Sequence, residues 1–317
     1  MSKEKVDEMN VVLVFLSEFG KRILRSSDTF LMDGTFSTAP DQFSQLYVVF
    51  GSGGGPRDKI YPCAYMLLPN KKAVTYTHAL QVLKNNVGHS PDEIYIDFEQ
   101  AAVKSIRKVF PNCAISGCLF HWKKNLFSHV GLKGCLPLFY DDEHFAVGLD
   151  ILYTISMVPV ENVVEAFNNI VIPFFLEHFP KSEEVDDFLN YVEGTYIGRK
   201  LRGGERGNPL FSIEMWNIRE RVLQDKQTTN NAVESWNARW NNSIGTNHNI
   251  LSIITGFKNE DALARTKFQQ VVAGRATNPN PARKDRRSGR LEMMKLAMGT
   301  FTRENMKEFM FMLREDI

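Results

Sequence analysis

Strand-like apolar runs crowd into the first 120 residues of this chain and then stop. Asp28 to Phe36, Leu46 to Phe50 and Ile60 to Leu68 read as three strands separated only by loops and turns, with Gly51 to Pro56 as the second turn. A helix over Lys72–Asn86, a short strand over Glu93–Phe98, a helix over Gln100–Phe110, a strand over Cys113–Phe120 and a helix from about His121 follow. A meander that leads into alternating strands and helices folds as a mixed sheet with helices on its faces. Residues 1–25 read as a helix ahead of it, with Val6, Met9, Leu13, Leu16, Ile23 and Leu24 near helical spacing. From Asp141 to about Tyr196 the pattern is helical, and Val163, Val164, Phe167, Ile170, Val171 and Phe174 share one apolar face. The expected architecture is therefore an α/β core interrupted by an all-α insertion.

Composition narrows the classes. Of 317 residues, 43% are hydrophobic, which excludes disorder as the main state. The longest apolar run near the start, Val11 to Leu16, is far short of the roughly 20 residues a bilayer crossing needs. The N-terminus lacks a signal-peptide core, and four cysteines are too few for a disulfide scaffold, so a reducing compartment is expected. A total charge of +1 argues at first against a nucleic-acid partner. The total hides segregation: residues 141–197 carry one base against twelve acids, whereas residues 265–290 carry eight bases against one acid. The second stretch includes Arg283, Lys284, Arg286, Arg287 and Arg290, a run suited to phosphate contact or nuclear import, and equally to a solvated tail. The core and the basic stretch are expected to face DNA, and the acidic segment to face away or contact protein.

Two aspartates stand inside strands. Asp33 interrupts Leu31-Met32-Asp33-Gly34, and Asp97, 64 residues later, ends Ile94-Tyr95-Ile96-Asp97. An acid among such neighbours is costly to bury unless paired or bound to a metal. In this element order the first and fourth strands are expected to be neighbours, which presents the two carboxylates side by side. Like charges so placed favour a divalent cation between them.

The surrounding residues are more specific. Met32-Asp33-Gly34-Thr35-Phe36, Tyr61-Pro62 with Tyr65-Met66-Leu67-Leu68-Pro69, Ile96-Asp97-Phe98-Glu99-Gln100-Ala101-Ala102, and Cys118-Leu119-Phe120-His121-Trp122 resemble the MULE transposase domain, the catalytic domain of Mutator-like elements. The likeness is close over roughly residues 28 to 128 and returns at Thr229-Asn230-Asn231-Ala232-Val233-Glu234-Ser235-Trp236-Asn237. It implies an RNase H-like fold with a DDE triad of Asp33, Asp97 and Glu234, the third acid on a helix after the insertion. The expected divisions are an N-terminal helix at 1–27, the first part of the core at 28–130, the insertion at 131–225, core completion at 226–275, and a basic C-terminal segment with a helix at 276–317. The implied activity is metal-dependent DNA strand cleavage and 3′-end joining. Two Mg²⁺ or Mn²⁺ ions would lie about 3.5–4 Å apart between the acids. Implied too are double-stranded DNA as substrate, a homo-oligomer that joins two element ends, no membrane, and a nuclear location. Family members carry an N-terminal zinc-binding module, whereas the 32 residues before Asp33 hold no cysteine. The rival readings are a domesticated DNA-binding or scaffold protein without catalysis and a nuclease acting on RNA–DNA hybrids.

Other residues have bland and sharp readings. Cys118 and His121 form a C-x-x-H pair expected to support the active site or the DNA contact, although a buried thiol and a hydrogen-bonded imidazole are the default. Zinc on Cys113, Cys118, His121 and His129 is not expected, because the spacing fits no standard finger. Lys123 and Lys124 meet either phosphate or solvent. Glu99 is expected to start a helix, and Trp236 and Trp240 to pack in the core rather than stack on a base. The glycine run at 51–55 lacks the Gly-Lys-Ser/Thr ending of a P-loop.

Overall fold

The computed structural model describes residues 11–35, 38–52, 59–226, 228, 231–245, 249–275 and 281–314; the side chains of 231, 281–288 and 290 fall outside that set. The chain divides into two units, residues 1–116 with 230–277, and residues 117–229 with 278–317. In chain order the elements begin β1 (Leu13–Leu16), α1 (Glu18–Arg25), β2 (Thr29–Thr35), β3 (Gln45–Ser52), β4 (Ile60–Leu68), α2 (Ala73–Val87), β5 (Glu93–Ile96), α3 (Gln100–Val109) and β6 (Ala114–Gly117). They continue with α4 (Leu119–Leu132), α5 (Leu136–Asp141), α6 (Glu143–Thr154), α7 (Val163–Ala166), α8 (Ile172–His178), α9 (Glu183–Val192), α10 (Ile213–Trp216) and α11 (Arg219–Leu223). The last are α12 (Asn231–Ile244), α13 (Ile250–Val272), α14 (Pro281–Gly299) and α15 (Met306–Leu313).

The first unit is built on a mixed six-stranded sheet of order β1-β4-β3-β2-β5-β6. The β1–β4, β4–β3 and β3–β2 pairs are antiparallel and β2–β5 is parallel. The helical reading of the N-terminus is corrected at Leu13–Leu16, which is an edge strand with Leu13 opposite Leu67 and Leu16 opposite Ala64. Val11 to Leu16 is an unbroken apolar run rich in β-branched residues, with no polar face to make it an amphipathic helix. The helix begins only after Ser17, whose hydroxyl caps it by accepting from the Gly20 N–H. Residues 1–10, and Gly53 to Pro56 of the expected turn, lie outside the described residues.

Both faces of the sheet are covered, so β3 and β4 read as continuous apolar runs. On one face Leu31, Val48, Phe50, Tyr65 and Tyr95 pack against Val233, Trp236 and Trp240 of α12 and Ile253 and Phe257 of α13. The rings of Trp236, Trp240, Phe257 and Tyr65 form a stack with successive centroids 5.3, 5.3 and 4.3 Å apart. Both indole N–H groups are answered, Trp236 by Glu260 at 2.7 Å and Trp240 by Thr38 at 2.9 Å. The two tryptophans are therefore core residues. Losing either ring would cost roughly 3–5 kcal/mol. On the other face Tyr47 meets Tyr76 of α2 edge-on at 5.2 Å.

The second unit is helical among its described residues, apart from one isolated bridge between Lys200 and Arg206. Trp122 and Trp216 stack in its core at 5.1 Å, with Tyr153 and Tyr196 edge-on to Trp122. Two π-helical turns, Phe167–Val171 and Glu193–Ile197, are tied together by Arg206. Its guanidinium donates to Asn168 Oδ1 at 2.6 Å, to Glu193 Oε1 at 2.7 Å, and to the Gly198 carbonyl. Among the described residues no helix is long and apolar enough to cross a membrane.

Candidate active site

The pleat brings the two strand aspartates together. Leu31 and Tyr95 are partners in the parallel β2–β5 register, and both face α12 and α13. Two residues further along each chain come Asp33 and Asp97, on that same face because side chains repeat every second residue. Asp33 is buried at 6% exposure. Asp97 is partly exposed as a residue, but its Oδ1 is fully buried and has no hydrogen-bond partner.

The carboxylates perturb each other. Burial pushes the Asp97 carboxyl up to about 7, and the charges of Asp33 and then Glu99 push the same way, with Lys71 opposing them. At neutral pH the site is on the point of holding a proton for want of positive charge.

The third acid arrives on α12. Asn237 Nδ2 donates to Asp33 Oδ2 at 2.6 Å. Glu234 lies three residues earlier, on the same side of the helix. Its Oε1 is buried and, like the Asp97 oxygen, has no hydrogen-bond partner. The helix can present this polar stripe because Val233, Trp236 and Trp240 anchor the adjacent stripe in the core.

Behind the aspartates, on the other face of the sheet, lies a chain of polar groups that no sequence pattern marked as such. Glu99 is the N-cap residue of α3 but makes no side-chain cap bond. Its Oε2 instead accepts from Tyr76 Oη at 2.8 Å, and Tyr76 Oη accepts from Gln45 Nε2 at 2.5 Å. Tyr47, 1% exposed, lies beside this chain, and burial together with the Asp97 charge raises its phenol far above the ordinary range. Gly34 makes room for the group, since a Cβ there would stand 2.9 Å from Gln45 Oε1 and 3.3 Å from the Tyr47 ring. A signal for Asn237 was present, because it falls one helical turn after Glu234. No comparable signal marked Gln45 or Tyr76.

The remaining sequence candidates lie in the second unit. Cys118 is fully buried at the N-cap of α4, and His121 is half-buried in its first turn. Lys123 sits with its ammonium 4.6 Å over the Tyr153 ring, and Lys124 is exposed. Of the residues considered for zinc, His129 stacks on Tyr191 at 3.6 Å and its Nδ1 meets the Asn125 carbonyl at 2.8 Å. Arg283, Lys284, Arg286, Arg287 and Arg290 fall on α14, and their side chains lie outside the described residues.

Residues 29–125 match the family model of the MULE transposase domain. The matched stretch runs from β2 into α4 and contains Asp33, Asp97, Cys118 and His121, while Glu234 lies beyond it. The match points to a transposase-related role, and a domain of this kind implies interaction with DNA. No curated protein matches the chain.

Proposed function

We propose that this chain is a Mutator-like DNA transposase that cleaves DNA strands and joins 3′ ends with a DDE triad of Asp33, Asp97 and Glu234. The observation that carries the reading is the hydrogen bond from Asn237 to Asp33, because it brings the face of α12 that bears Glu234 to the paired strand aspartates. The strand order supports an RNase H-like core: an antiparallel meander β4-β3-β2, with β5 added parallel to β2.

The residues suit divalent metal. Asp97 and Glu234 each offer a buried carboxylate oxygen without a hydrogen-bond partner, and Asp97 is pushed toward protonation by burial and then by its acidic neighbours. Hard carboxylate oxygens with surplus negative charge select Mg²⁺ or Mn²⁺ over softer ions. Bound there, a pair of such ions supplies Lewis-acid stabilisation to the attacking and leaving oxygens of an in-line phosphoryl displacement.

The chain's own groups do the rest. Asn237 holds one oxygen of the Asp33 carboxylate in place. Asp97 releases its proton when positive charge enters. The Gln45–Tyr76–Glu99 chain holds a further acid whose charge acts on Asp97. A water or a DNA 3′-hydroxyl loses its proton to solvent as its oxygen attacks phosphorus, the bond to the leaving oxygen breaks, and the leaving oxygen takes up a proton from solvent. In this reading the protein works in the nucleus as a homo-oligomer on double-stranded element ends, with Lys123, Lys124 and the α14 bases contacting phosphate.

The test is Mg²⁺-dependent nicking of supercoiled plasmid and strand transfer of tailed oligonucleotides, with Asp97→Ala as control. Activity in the wild type that vanishes in the variant supports the proposal. Equal activity in both sinks it. DNA binding without nicking in either returns the domesticated, non-catalytic reading.

A further inference from the structure

A second feature of the sheet unit lies away from the carboxylates. Between α1 and α13 runs a groove of about 650 Å³ whose lining includes Phe19, Arg22, Arg25, Arg265, Phe268 and Glu18. Three arginines on two helices converge on it, and all three are exposed. Helix α1 is drawn close against β4 because Gly20 takes the place of a side chain, where a Cβ would stand 2.2 Å from the Cys63 carbonyl oxygen.

The guanidinium groups are held on aromatic rings. Phe19 and Phe268 line the groove and meet edge-on at 5.7 Å, with Tyr61 edge-on to both at 6.2 and 5.8 Å. Arg22 lies 5.7 Å from the Phe19 centroid and 5.5 Å from that of Phe268, and Arg265 lies 5.8 Å from Phe19. Arg25 is tethered by its Nε to the Val87 carbonyl at 2.7 Å. A guanidinium stacked on a ring keeps its N–H edge free and has already lost much of its rotamer freedom, so binding costs it less ordering.

Two acids at the groove are already paired, one of them with a groove arginine. Glu18 pairs with Lys21 at 2.7 Å. Asp261 accepts from Arg265 Nε at 2.9 Å and from the Ser17 hydroxyl. Among the described residues Arg22 makes no ion pair. The groove is thus a preorganised cationic surface on which Arg22 lies over two rings and, among the described residues, is in no ion pair.

We propose that this groove binds the phosphodiester backbone of duplex DNA, at a place separate from the carboxylate site. Helix α1 ends beside Gly51, where a Cβ would meet Leu24 and Ile23 at 3.1 and 3.2 Å. Gly51 is three residues along β3 from Val48, the partner of Asp33. That spacing is roughly 10 Å of strand between the two backbone positions, and the odd step turns Gly51 toward α1 and Val48 toward α12 and α13, so the two sites are separate and only an extended polyanion can reach both. The choice of DNA over an acidic protein segment rests on the transposase reading above, and the experiment separates the two.

The experiment is fluorescence anisotropy of a labelled 30-base-pair duplex of arbitrary sequence, titrated with the full chain in EDTA across a KCl series. EDTA removes metal-dependent chemistry from the readout. The variants are Arg22→Ala/Arg265→Ala, the charge-keeping Arg22→Lys/Arg265→Lys, and Lys104→Ala/Arg107→Ala as a matched loss of two charges on α3. The alanine pair is expected to weaken binding on the order of tenfold and to flatten the slope of log K against log salt by up to about 2, near 0.9 for each phosphate no longer neutralised. The lysine pair is expected to keep most of the slope, and the α3 pair to leave both quantities unchanged. Circular dichroism and Tm confirm folding, and the lysine pair keeps the proposal testable if the alanine pair unfolds. Wild-type affinity and slope in the folded alanine pair would overturn the groove. So would equal weakening in the α3 pair, or DNA-independent self-association that only the groove variants abolish. If Asp97→Ala loses nicking while the groove variants bind DNA normally, the groove fails and the catalytic reading stands. If Asp97→Ala nicks like the wild type while the groove variants lose DNA, the reverse holds.

Discussion

The buried arginines of the helical unit are answered, whereas two carboxylate oxygens buried in the sheet unit are not. Arg221 is 6% exposed and donates to the Gly117 and Asn217 carbonyls at 3.0 and 3.2 Å. Arg206 meets three acceptors from two π-helical turns. In the sheet unit Asp97 Oδ1 and Glu234 Oε1 are buried with no hydrogen-bond partner. A satisfied buried charge organises the chain around it. An unsatisfied one costs stability, which a fold retains where function uses the charge. The difference separates residues that hold this protein together from residues set to meet something outside it.

The comparison is broken most directly at the acids. Asp33→Asn, Asp97→Asn and Glu234→Gln keep side-chain size and remove charge. Each is expected to reduce Mg²⁺-dependent plasmid nicking by at least about 10³-fold, roughly 4 kcal/mol of transition-state stabilisation, while the circular dichroism spectrum stays that of the wild type. Retention of more than a tenth of the activity in any one would remove that acid from the triad.

In the helical unit the same kind of change acts on the fold. Arg206→Ala strips Glu193, Asn168 and the Gly198 carbonyl of a donor at once. The pair is mostly sheltered, at 14% and 21% side-chain exposure, so a loss of about 2–3 kcal/mol is expected. Hydrogen exchange should quicken in peptides covering 167–171 and 193–198, and less in the strands. Uniform quickening, or none, would show that Arg206 does not tie the two turns.

Asn237 stands between these cases, since it is both a packing neighbour and the donor to Asp33. Asn237→Ala frees the carboxylate without adding charge. A loss of about tenfold in Mg²⁺ affinity or in nicking is expected, as for outer-sphere partners of metal ligands. Higher Mg²⁺ concentration should restore part of it. Asn237→Asp sets like charges against each other and should be worse than alanine. If both variants match the wild type across a Mg²⁺ titration, the bond is ornamental.

Much of this was legible in the chain. The order of strands and helices from residue 28 to 130 reads directly, because period-2 and period-3.6 patterns alternate cleanly there. The pairing of the Asp33 and Asp97 strands followed from that order. What escaped has physical reasons. Leu13–Leu16 is four residues long and apolar throughout, so its periodicity cannot distinguish a strand from a helix. The Gln45–Tyr76–Glu99 chain joins residues from β3, α2 and the start of α3, and no local pattern encodes such a contact. Arg265 lies far in sequence from Arg22 and Arg25, and each of the three reads alone as an ordinary solvated base.

The smallest expected effect tests the cost of the unanswered charge itself. In the folded chain the Asp97 carboxyl keeps its proton up to about 7, against an ordinary value of 3.8. The folded state therefore binds the proton more tightly than the unfolded state. Stability linked to this group is fully present below about pH 4 and is lost as pH rises to about 7. Asp97→Asn cannot ionise and escapes that loss. Without divalent cations, the Tm of the variant should match that of the wild type near pH 4 and climb above it between pH 4 and 7. It should then stay above at higher pH, by about 1 kcal/mol once partial exposure is allowed for. Mg²⁺ should narrow the gap by stabilising only the wild type, as binding to the native state requires. A gap that is flat across this pH window, or one in which the wild type is the more stable at pH 8 in EDTA, would mean that Asp97 is at ease in the fold. The contrast with Arg206 and Arg221 would then collapse.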